Sequence, residues 1–221
     1  DGAVIVVDRE YRADMLHGRL PIGEIVATIA DGDDAMQLMA KAWPSAHGIG
    51  GRLLFLDLET TGLFSGAGTQ AFLIGCAAID GTSIRIRQFL LPGFEHERAL
   101  LSELQNWTRD HGAICTYNGR TFDVPLIETR YMFHRVPCAL EGVPHLDMLH
   151  PARRMWRQRP LSMGTPDPDD SSCSLSVLEK QIGGLHRVGD VPGYDIPSRF
   201  FRFVRSGDVR PLEAVMEHNR L

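Results

Sequence analysis

Residues 54–62 read LFLDLETTG and combine an apolar run with two acids and a turn. A nearly uninterrupted apolar run of this length is typical of a strand that is buried on both faces. Since side chains alternate along a strand, Asp57 and Glu59 are predicted to share one face, with Leu58 on the other. Two adjacent carboxylates repel each other unless a cation lies between them. The alternative is a solvated strand end whose acids cap neighbouring amides, and this pair of acids alone favours that alternative.

A third acid lies in residues 117–126, which read YNGRTFDVPL. The apolar residues 113–117 predict a strand, and a helix is predicted to follow over 124–134. Asp123 is suited to cap that helix, and Pro125 is suited to its first turn. A capping role leaves Asp123 able to serve as a metal ligand as well.

The remaining pattern predicts an α/β domain on a mixed sheet, in which the first three strands are antiparallel, the later ones are parallel, and helices lie on the flanks. An Asp-Gly turn between two β-rich segments predicts a hairpin, and apolar residues at helical spacing predict three further helices. The hairpin segments are 71–79 and 83–91, and the helices are 95–110, 197–204 and 209–221.

Residues 1–50 are predicted to form an N-terminal extension with short strands and one helix, ahead of a main domain at 51–221. The β-branched runs at 3–7 and 22–29 predict the strands, and residues 34–43 predict the helix. The absence of an initial Met indicates trimming or an unseen beginning. The last predicted helix has no stop signal, so the C-terminal end of the domain is expected to be incomplete.

The composition is that of an ordinary globular protein, with 221 residues, 43% of them hydrophobic and 23% charged. The net charge of −5 argues against a protein that coats nucleic acid non-specifically, whereas a protein whose acids bind metal is compatible with it. The longest apolar runs have the length of strands, so no membrane span is predicted. The four cysteines are scattered without a CxxC pair, which fits a reducing, cytoplasmic setting.

Residues 54–62 and 117–126 resemble, in order along the chain, the first two motifs of the DEDD 3′–5′ exonuclease superfamily. The resemblance is strongest to the bacterial family of predicted RNase H-like exonuclease domains, whose third motif begins like the HNRL at 218–221. It implies an RNase H-like fold over the main domain. The family's fourth acid would follow directly after Leu221, and Asp208 is interpreted as a helix cap and not as its substitute.

The resemblance also implies a two-metal site for Mg²⁺ or Mn²⁺, held by carboxylates. Asp57 would bridge both ions, while Glu59 and Asp123 would each hold one. His218 is the candidate for orienting or deprotonating the attacking water, because histidine titrates near neutral pH. The alternative for His218 is a partly buried helix residue without a catalytic role.

Further residues are assigned to substrate binding or to support of the site. Thr60 and Asn118 flank the acids and are expected to hydrogen-bond the terminal nucleotide. Arg153 and Arg154 are expected to contact the phosphate backbone, with a solvated helix face as the alternative. Asp147 is expected to support the fold beside the site without binding metal.

These residues predict a hydrolase that cleaves phosphodiester bonds with a divalent metal, in the 3′–5′ direction, on single-stranded DNA or RNA ends. One alternative is a catalytically weak or inactive RNase H-like module that binds nucleic acid, and another is an endonuclease of the same fold. The intact acids argue against the inactive module, because three buried carboxylates without a metal would be costly. Phe122 is interpreted as a core residue in preference to a surface on which bases stack. DNA and RNA both stay open, since no residue that reads the 2′-hydroxyl is identified.

Overall fold

The computed structural model describes residues 3–40, 53–62, 68–156 and 173–220, and a six-stranded sheet forms its centre. In chain order the strands are Ile5–Tyr11 (β1), Leu16–His17 (β2), Leu20–Pro21 (β3), Leu53–Thr60 (β4), Ala71–Asp80 (β5), Ser83–Leu90 (β6), Ala113–Thr116 (β7) and His145–Asp147 (β8). Across the main sheet their order is β1-β6-β5-β4-β7-β8. Two further strands, β2 and β3, form a separate two-stranded sheet and lie in the sequence between β1 and β4 of the main sheet.

The pairing within this sheet is mixed, as the sequence predicts. Strand β4 pairs antiparallel with β5, and β5 pairs antiparallel with β6, which confirms the predicted hairpin. On its other side β4 pairs parallel with β7, and β7 pairs parallel with β8. The carboxyl ends of β4, β7 and β8 therefore lie at the same edge of the sheet.

Eight α-helices surround the sheet in the described part of the chain, together with short 3₁₀ turns and one π-helical turn. The helices are Ile22–Asp31 (α1), Asp33–Ala40 (α2), Glu97–Thr108 (α3), Asp123–His134 (α4), Leu149–Trp156 (α5), Leu175–Leu178 (α6), Ile196–Ser206 (α7) and Arg210–Arg220 (α8). The π-helical turn is Glu179–Gly183, and a 3₁₀ turn, Gly193–Asp195, leads into α7. The predicted helices that correspond to α3, α4, α7 and α8 are confirmed.

The two faces of β4 pack against different layers. Leu54, Leu56 and Leu58 belong to the main core, which includes apolar residues of α3, α4 and α7. Leu53 belongs to a smaller cluster with β7 and β8, against which Phe55 and residues of α1 and α2 pack. By alternation Asp57 and Glu59 lie on the face of Leu53, beyond the apolar part of the strand.

The N-terminal residues differ in part from the prediction. Residues 22–29 were predicted to be a strand, and this is wrong, because they lie within helix α1. The physical reason is visible in the spacing: Ile22 and Val26 are one helical turn apart and both are buried, so a helix gathers them on one face. The predicted helix at 34–43 is matched by α2, and its last three residues lie outside the described part of the chain.

Strand β1 joins the main sheet at its edge, where it pairs antiparallel with β6 along its whole length. A bidentate ion pair between Asp8 and Arg87 adds to this pairing, with distances of 2.6 and 2.5 Å. The division of the chain after residue 50 stays a prediction, but β1 is continuous with the sheet of the main domain.

No helix in the described residues is both long enough and apolar enough to cross a membrane.

Candidate active site

The two acids of β4 lie near the carboxyl end of the strand. Asp57 is opposite Gly75 of β5, and the register between these strands shifts directly after Glu59. Glu59 is buried, with 8% of its surface exposed, whereas Asp57 is in contact with solvent at the floor of a cleft. Protein atoms nevertheless surround Asp57, and the loss of water raises the pKa of its carboxyl.

Asp123 is the first residue of α4 and follows the parallel strand next to β4. Burial, followed by the charge of Asp57, raises the pKa of Asp123 to about 7. Burial, followed by the charges of Asp57 and Asp123, raises the pKa of Glu59 to about 9. The three predicted acids come from two separate stretches of sequence, and they lie close enough for the charge of Asp57 to oppose the ionisation of both Glu59 and Asp123.

The donor set of these three acids fits a hard divalent cation, because carboxylate oxygens are the ligands that Mg²⁺ prefers. The charge of Arg187 lowers the pKa of Glu59 and so partly offsets its rise, but the Arg187 guanidinium is already bound to Glu179 by two hydrogen bonds of 2.7 Å. In the described residues, no three acidic, histidine or cysteine side chains are gathered closely enough to form a ready-made metal site. The carboxyls would have to close around an ion when it binds.

The loop that carries Asp123 into place is held by Asp147 at the end of β8. The Asp147 carboxylate accepts hydrogen bonds from the backbone amides of Asn118 at 2.8 Å, Arg120 at 3.0 Å and Leu149 at 3.1 Å. Asn118 has a positive φ of 69°, and the three amides compensate for the charge of the buried acid. Asp147 thus supports this loop, while its effect on any reaction stays a prediction.

Gly119 lies where this loop passes closest to the side chains of Thr116 and Asp123. A Cβ at this position would come within 2.6 Å of the Thr116 side chain and 2.7 Å of an Asp123 carboxylate oxygen. A residue with a side chain would therefore displace the acid, which explains the glycine of the second motif.

His218 lies beside the acids on α8. Its Nε2 atom is 4.0 Å from Oε1 of Glu59, and its Nδ1 atom is 2.5 Å from Oδ1 of Asp190. Asp190 is a residue that the sequence analysis missed, because it lies in a loop with no recognisable motif. Its hydrogen bond fixes the imidazole so that Nε2 points towards Glu59.

Asn219, the next residue of α8, was also missed as a functional residue although it lies in the third motif. Its side-chain nitrogen Nδ2 is 2.9 Å from Oδ2 of Asp57 and donates a hydrogen bond to it. Because α8 carries both residues, this helix connects the C-terminal part of the chain directly to the acids of β4.

The other predicted substrate residues occupy less informative positions. The Thr60 hydroxyl donates to the carbonyl of Gly62 at 2.7 Å, so it is engaged in the local turn. Asn118 adjoins the acids through its loop, as described above. Arg153 and Arg154 are exposed on α5, which is compatible both with contact to the phosphate backbone and with a solvated helix face.

Two cavities border the acids. The smaller, of about 240 Å³, is lined by Glu59 and Asp123 together with Thr60 and Phe122, and the larger, of about 740 Å³, is lined in part by Asp57 and His218. Phe122 was predicted to be a core residue, and this is wrong, because it is 49% exposed and faces the smaller cavity. As the residue before the first turn of α4, it stands outside the helix face that packs on the sheet.

The mixed sheet carries two acids on β4 and a third at the start of the helix that follows the adjacent parallel strand, which is the arrangement of an RNase H-like α/β protein. The chain belongs to the RNase H superfamily, since a family model of that superfamily matches residues 54–221. A curated relative is the uncharacterized protein YprB of Bacillus subtilis (strain 168), which is 35% identical over 171 residues. That alignment covers 76% of this chain and 38% of the relative, so the chain spans well under half of the relative's length.

A solved structure is similar in fold although its sequence has diverged widely. It is the family B DNA polymerase from the hyperthermophilic archaeon Pyrobaculum calidifontis, with a TM-score of 0.54 and 16% sequence identity. The similarity covers 75% of this chain and 22% of the polymerase chain. The shared fold is therefore that of one domain within a much larger protein.

Proposed function

We propose that the protein is a divalent-metal-dependent nuclease of the DEDD type, which removes nucleotides from single-stranded 3′ ends. Membership in the RNase H superfamily and the likeness to part of a DNA polymerase suggest a nuclease-type activity. The observation that carries the finer proposal is the proximity of Asp57, Glu59 and Asp123 at one edge of the sheet: besides burial, the charge of Asp57 raises the pKa of both other acids, and the charge of Asp123 raises that of Glu59.

The three acids would hold the metal ions, Mg²⁺ or Mn²⁺. Bound ions would supply charge neutralisation at the phosphate and a more acidic water at neutral pH. The raised pKa values mean that Glu59 and Asp123 would lose protons as the ions bind, because only ionised carboxylates are good ligands.

His218 is the residue that would orient the attacking water. Asp190 holds Nδ1, so Nε2 faces the side of the cleft where Glu59 lies. Attack by the water oxygen on phosphorus breaks the bond to the 3′-oxygen of the preceding nucleotide, and that oxygen then takes up a proton. The products are a nucleoside monophosphate and a strand shortened by one residue.

The smaller cavity is the place for the terminal nucleotide. It lies against Glu59 and Asp123 and is walled by the exposed ring of Phe122, on which a base can stack. The exposed arginines of α5, Arg153 and Arg154, would contact phosphates of the strand, and their effect should weaken with salt.

The decisive experiment uses the natural gene product with single- and double-stranded DNA and RNA labelled at either end, in Mg²⁺ or Mn²⁺. We expect a ladder of shortened products from the 5′-labelled single strand and a labelled mononucleotide from the 3′-labelled one. Asp57→Asn should abolish this activity. Asp80→Asn is the same change at the last residue of β5, beside the hairpin turn to β6, and it should retain the activity. Cleavage that survives Asp57→Asn, or internal cleavage of a strand with a blocked 3′ end, would contradict the proposal.

One observation favours a second candidate, a nucleic-acid-binding module without catalysis. It is the lack of a ready-made three-ligand metal cluster among the described residues. In that case the protein would bind the same single strands but leave them intact in both metals, and Asp57→Asn would not weaken the binding.

A further inference from the structure

Three residues lie side by side across the sheet, directly beneath α8. Asp57 of β4 is opposite Gly75 of β5, and Gly75 is in turn opposite Gln88 of β6. Because directly opposite residues point to the same face, the glycine leaves a gap between two polar side chains. The side chain of Asn219 fills this gap: a Cβ on Gly75 would come within 2.3 Å of its oxygen and 2.9 Å of Cγ.

The main-chain carbonyl of Met216 in α8 determines how the side-chain amides of Gln88 and Asn219 are oriented. A carbonyl can only accept a hydrogen bond, so the end of Gln88 that lies 2.8 Å from it must be the NH₂ group. The same Nε2 atom is 2.9 Å from the Asn219 side chain, which must therefore turn its oxygen towards Gln88. This leaves Nδ2 of Asn219 facing Oδ2 of Asp57, 2.9 Å away.

Gln88 is an unfavourable residue if its only role is to fill space. It is 1% exposed, and in the described part of the chain its Oε1 atom has no hydrogen-bond partner. A buried polar atom without a partner costs about 1–3 kcal/mol. An apolar residue of similar size would avoid this cost, so the function of Gln88 lies in what its NH₂ group donates.

We propose that Gln88 is a positioning residue, which acts through Asn219 to hold the Asp57 carboxylate in one orientation, and that Gly75 provides the space for this contact. The inference rests on the proposed function, since it assigns to Asp57 the role of a metal ligand. Residues that hydrogen-bond a metal ligand fix its direction, and replacing them usually costs about 10–100-fold in metal affinity or activity. Neither Gln88 nor Gly75 belongs to the motifs at 54–62, 117–126 and 218–221.

The first test is a double-mutant cycle. Gln88→Met keeps the length and burial of the side chain but removes both donated hydrogen bonds, and we expect a loss of nuclease activity of about 10–100-fold. Asn219→Ala should cause a similar loss. In the Asn219→Ala background, adding Gln88→Met should cause no further loss, because the residue through which Gln88 acts is then absent.

Two controls separate positioning from folding. The midpoint of chemical unfolding should change little in Gln88→Met, since the removal of an unpartnered buried oxygen offsets the loss of the two donated hydrogen bonds. Gln105→Met makes the same chemical change on α3, whose Trp107 packs against Phe89 on the opposite face of the sheet, and it should retain activity. Losses of activity that simply add in the double variant, or that follow the loss of stability, would overturn the proposal.

A second measurement keeps the proposal separate from the nuclease assignment. In protein labelled with ¹⁵N-asparagine, the side-chain NH₂ of Asn219 is identified by its loss in Asn219→Ala. We expect its protons to exchange slowly with water in the original protein and at least tenfold faster in Gln88→Met. Unchanged exchange would refute the role of Gln88 even if the nuclease is active. Changed exchange in a protein without nuclease activity would support the positioning and reject the proposed function alone.

Discussion

Glu59 and Asp123 are buried acids whose ionisation the metal-free fold opposes. Their pKa values rise from 4.5 to about 9 and from 3.8 to about 7. Between the unfolded and folded values the folded state binds more protons than the unfolded chain, so its stability falls as the pH rises. We expect the free energy of unfolding of the EDTA-treated protein to decrease from pH 5 to pH 9. Chemical unfolding at several pH values measures this slope.

Glu59→Gln is the control for this prediction, because it keeps the shape of the side chain and removes its titration. The difference in stability between the original protein and this variant should change with pH in the predicted direction. Added Mn²⁺ should stabilise the original protein more at pH 8 than at pH 6, since ionised carboxylates bind the ion. A difference that is constant across this pH range would show that Glu59 titrates normally.

A second prediction at the scale of single residues concerns His218 and its partner Asp190. His218→Ala should lower the nuclease rate by about 10²–10⁴-fold if the imidazole acts on the water. Asp190→Asn should lower it less, since it removes only the charge that orients the ring through Nδ1. Rates under saturating Mn²⁺ measure both effects. Full activity in His218→Ala would remove the histidine from the mechanism, and Asp190 with it.

At this scale the sequence predicted the acids but not their neighbours. Asp57, Glu59 and Asp123 could be identified because strand alternation and a helix start restrict where such residues point. Asp190 and Gln88 could not, because their contacts join positions 28 and 131 residues apart in the chain and leave no local pattern. Only the approach of α8 to the sheet brings them to the site.

At the scale of elements, a buried ion cluster connects the helices that border the site. Glu97 of α3 accepts two hydrogen bonds from Arg130 of α4, at 2.7 and 2.6 Å, and further ones from His134 and Gln70. Gln70 also pairs with Thr61 through its backbone, directly after the acids of β4. Glu97 thus links α3, α4 and the start of β5.

We expect Glu97→Ala to destabilise the protein by about 3–5 kcal/mol, because it removes the carboxylate that accepts two hydrogen bonds from the buried Arg130 guanidinium. The double variant Glu97→Leu with Arg130→Met should recover much of this loss, since it removes both charges and keeps the apolar volume. Urea unfolding of the two proteins measures the difference. If the loss of stability in the double variant equals the sum of the losses from the two single changes, Glu97 and Arg130 do not act as a charge pair and contribute independently.

Elements were predicted where one pattern dominates, and missed where two patterns compete. The apolar run of β4 predicts a buried strand without ambiguity. Residues 22–29 are rich in β-branched residues, which favour strands, yet their apolar residues also recur at helical spacing. In the structure the helix α1 buries Ile22 and Val26 against the rest of the fold, so packing decides over local preference.

At the scale of the whole molecule, the predicted order of antiparallel and then parallel strands is confirmed, whereas the place of β1 was not predicted. The pairing of β1 with β6 joins residues about 80 positions apart, and a local sequence pattern cannot predict a contact over that distance. Val7 of β1 is directly opposite Gln88, so the edge strand lies next to the residue proposed to position Asn219.

The last prediction concerns the edge strand β1 and its pairing with β6. Removing residues 1–11 would expose the hydrogen-bonding groups of β6 and leave Arg87 without Asp8, so we expect a lower melting temperature and a greater tendency to aggregate. Each kcal/mol of lost stability lowers the melting temperature of a protein of this size by about 2–4 °C. Asp8→Asn with the strand retained is the matched control, and it should cost far less because that ion pair is partly exposed and the backbone pairing of β1 is kept. If the truncated protein melts at the same temperature as the original, β1 is an appendage, and the predicted boundary after residue 50 describes an independent main domain.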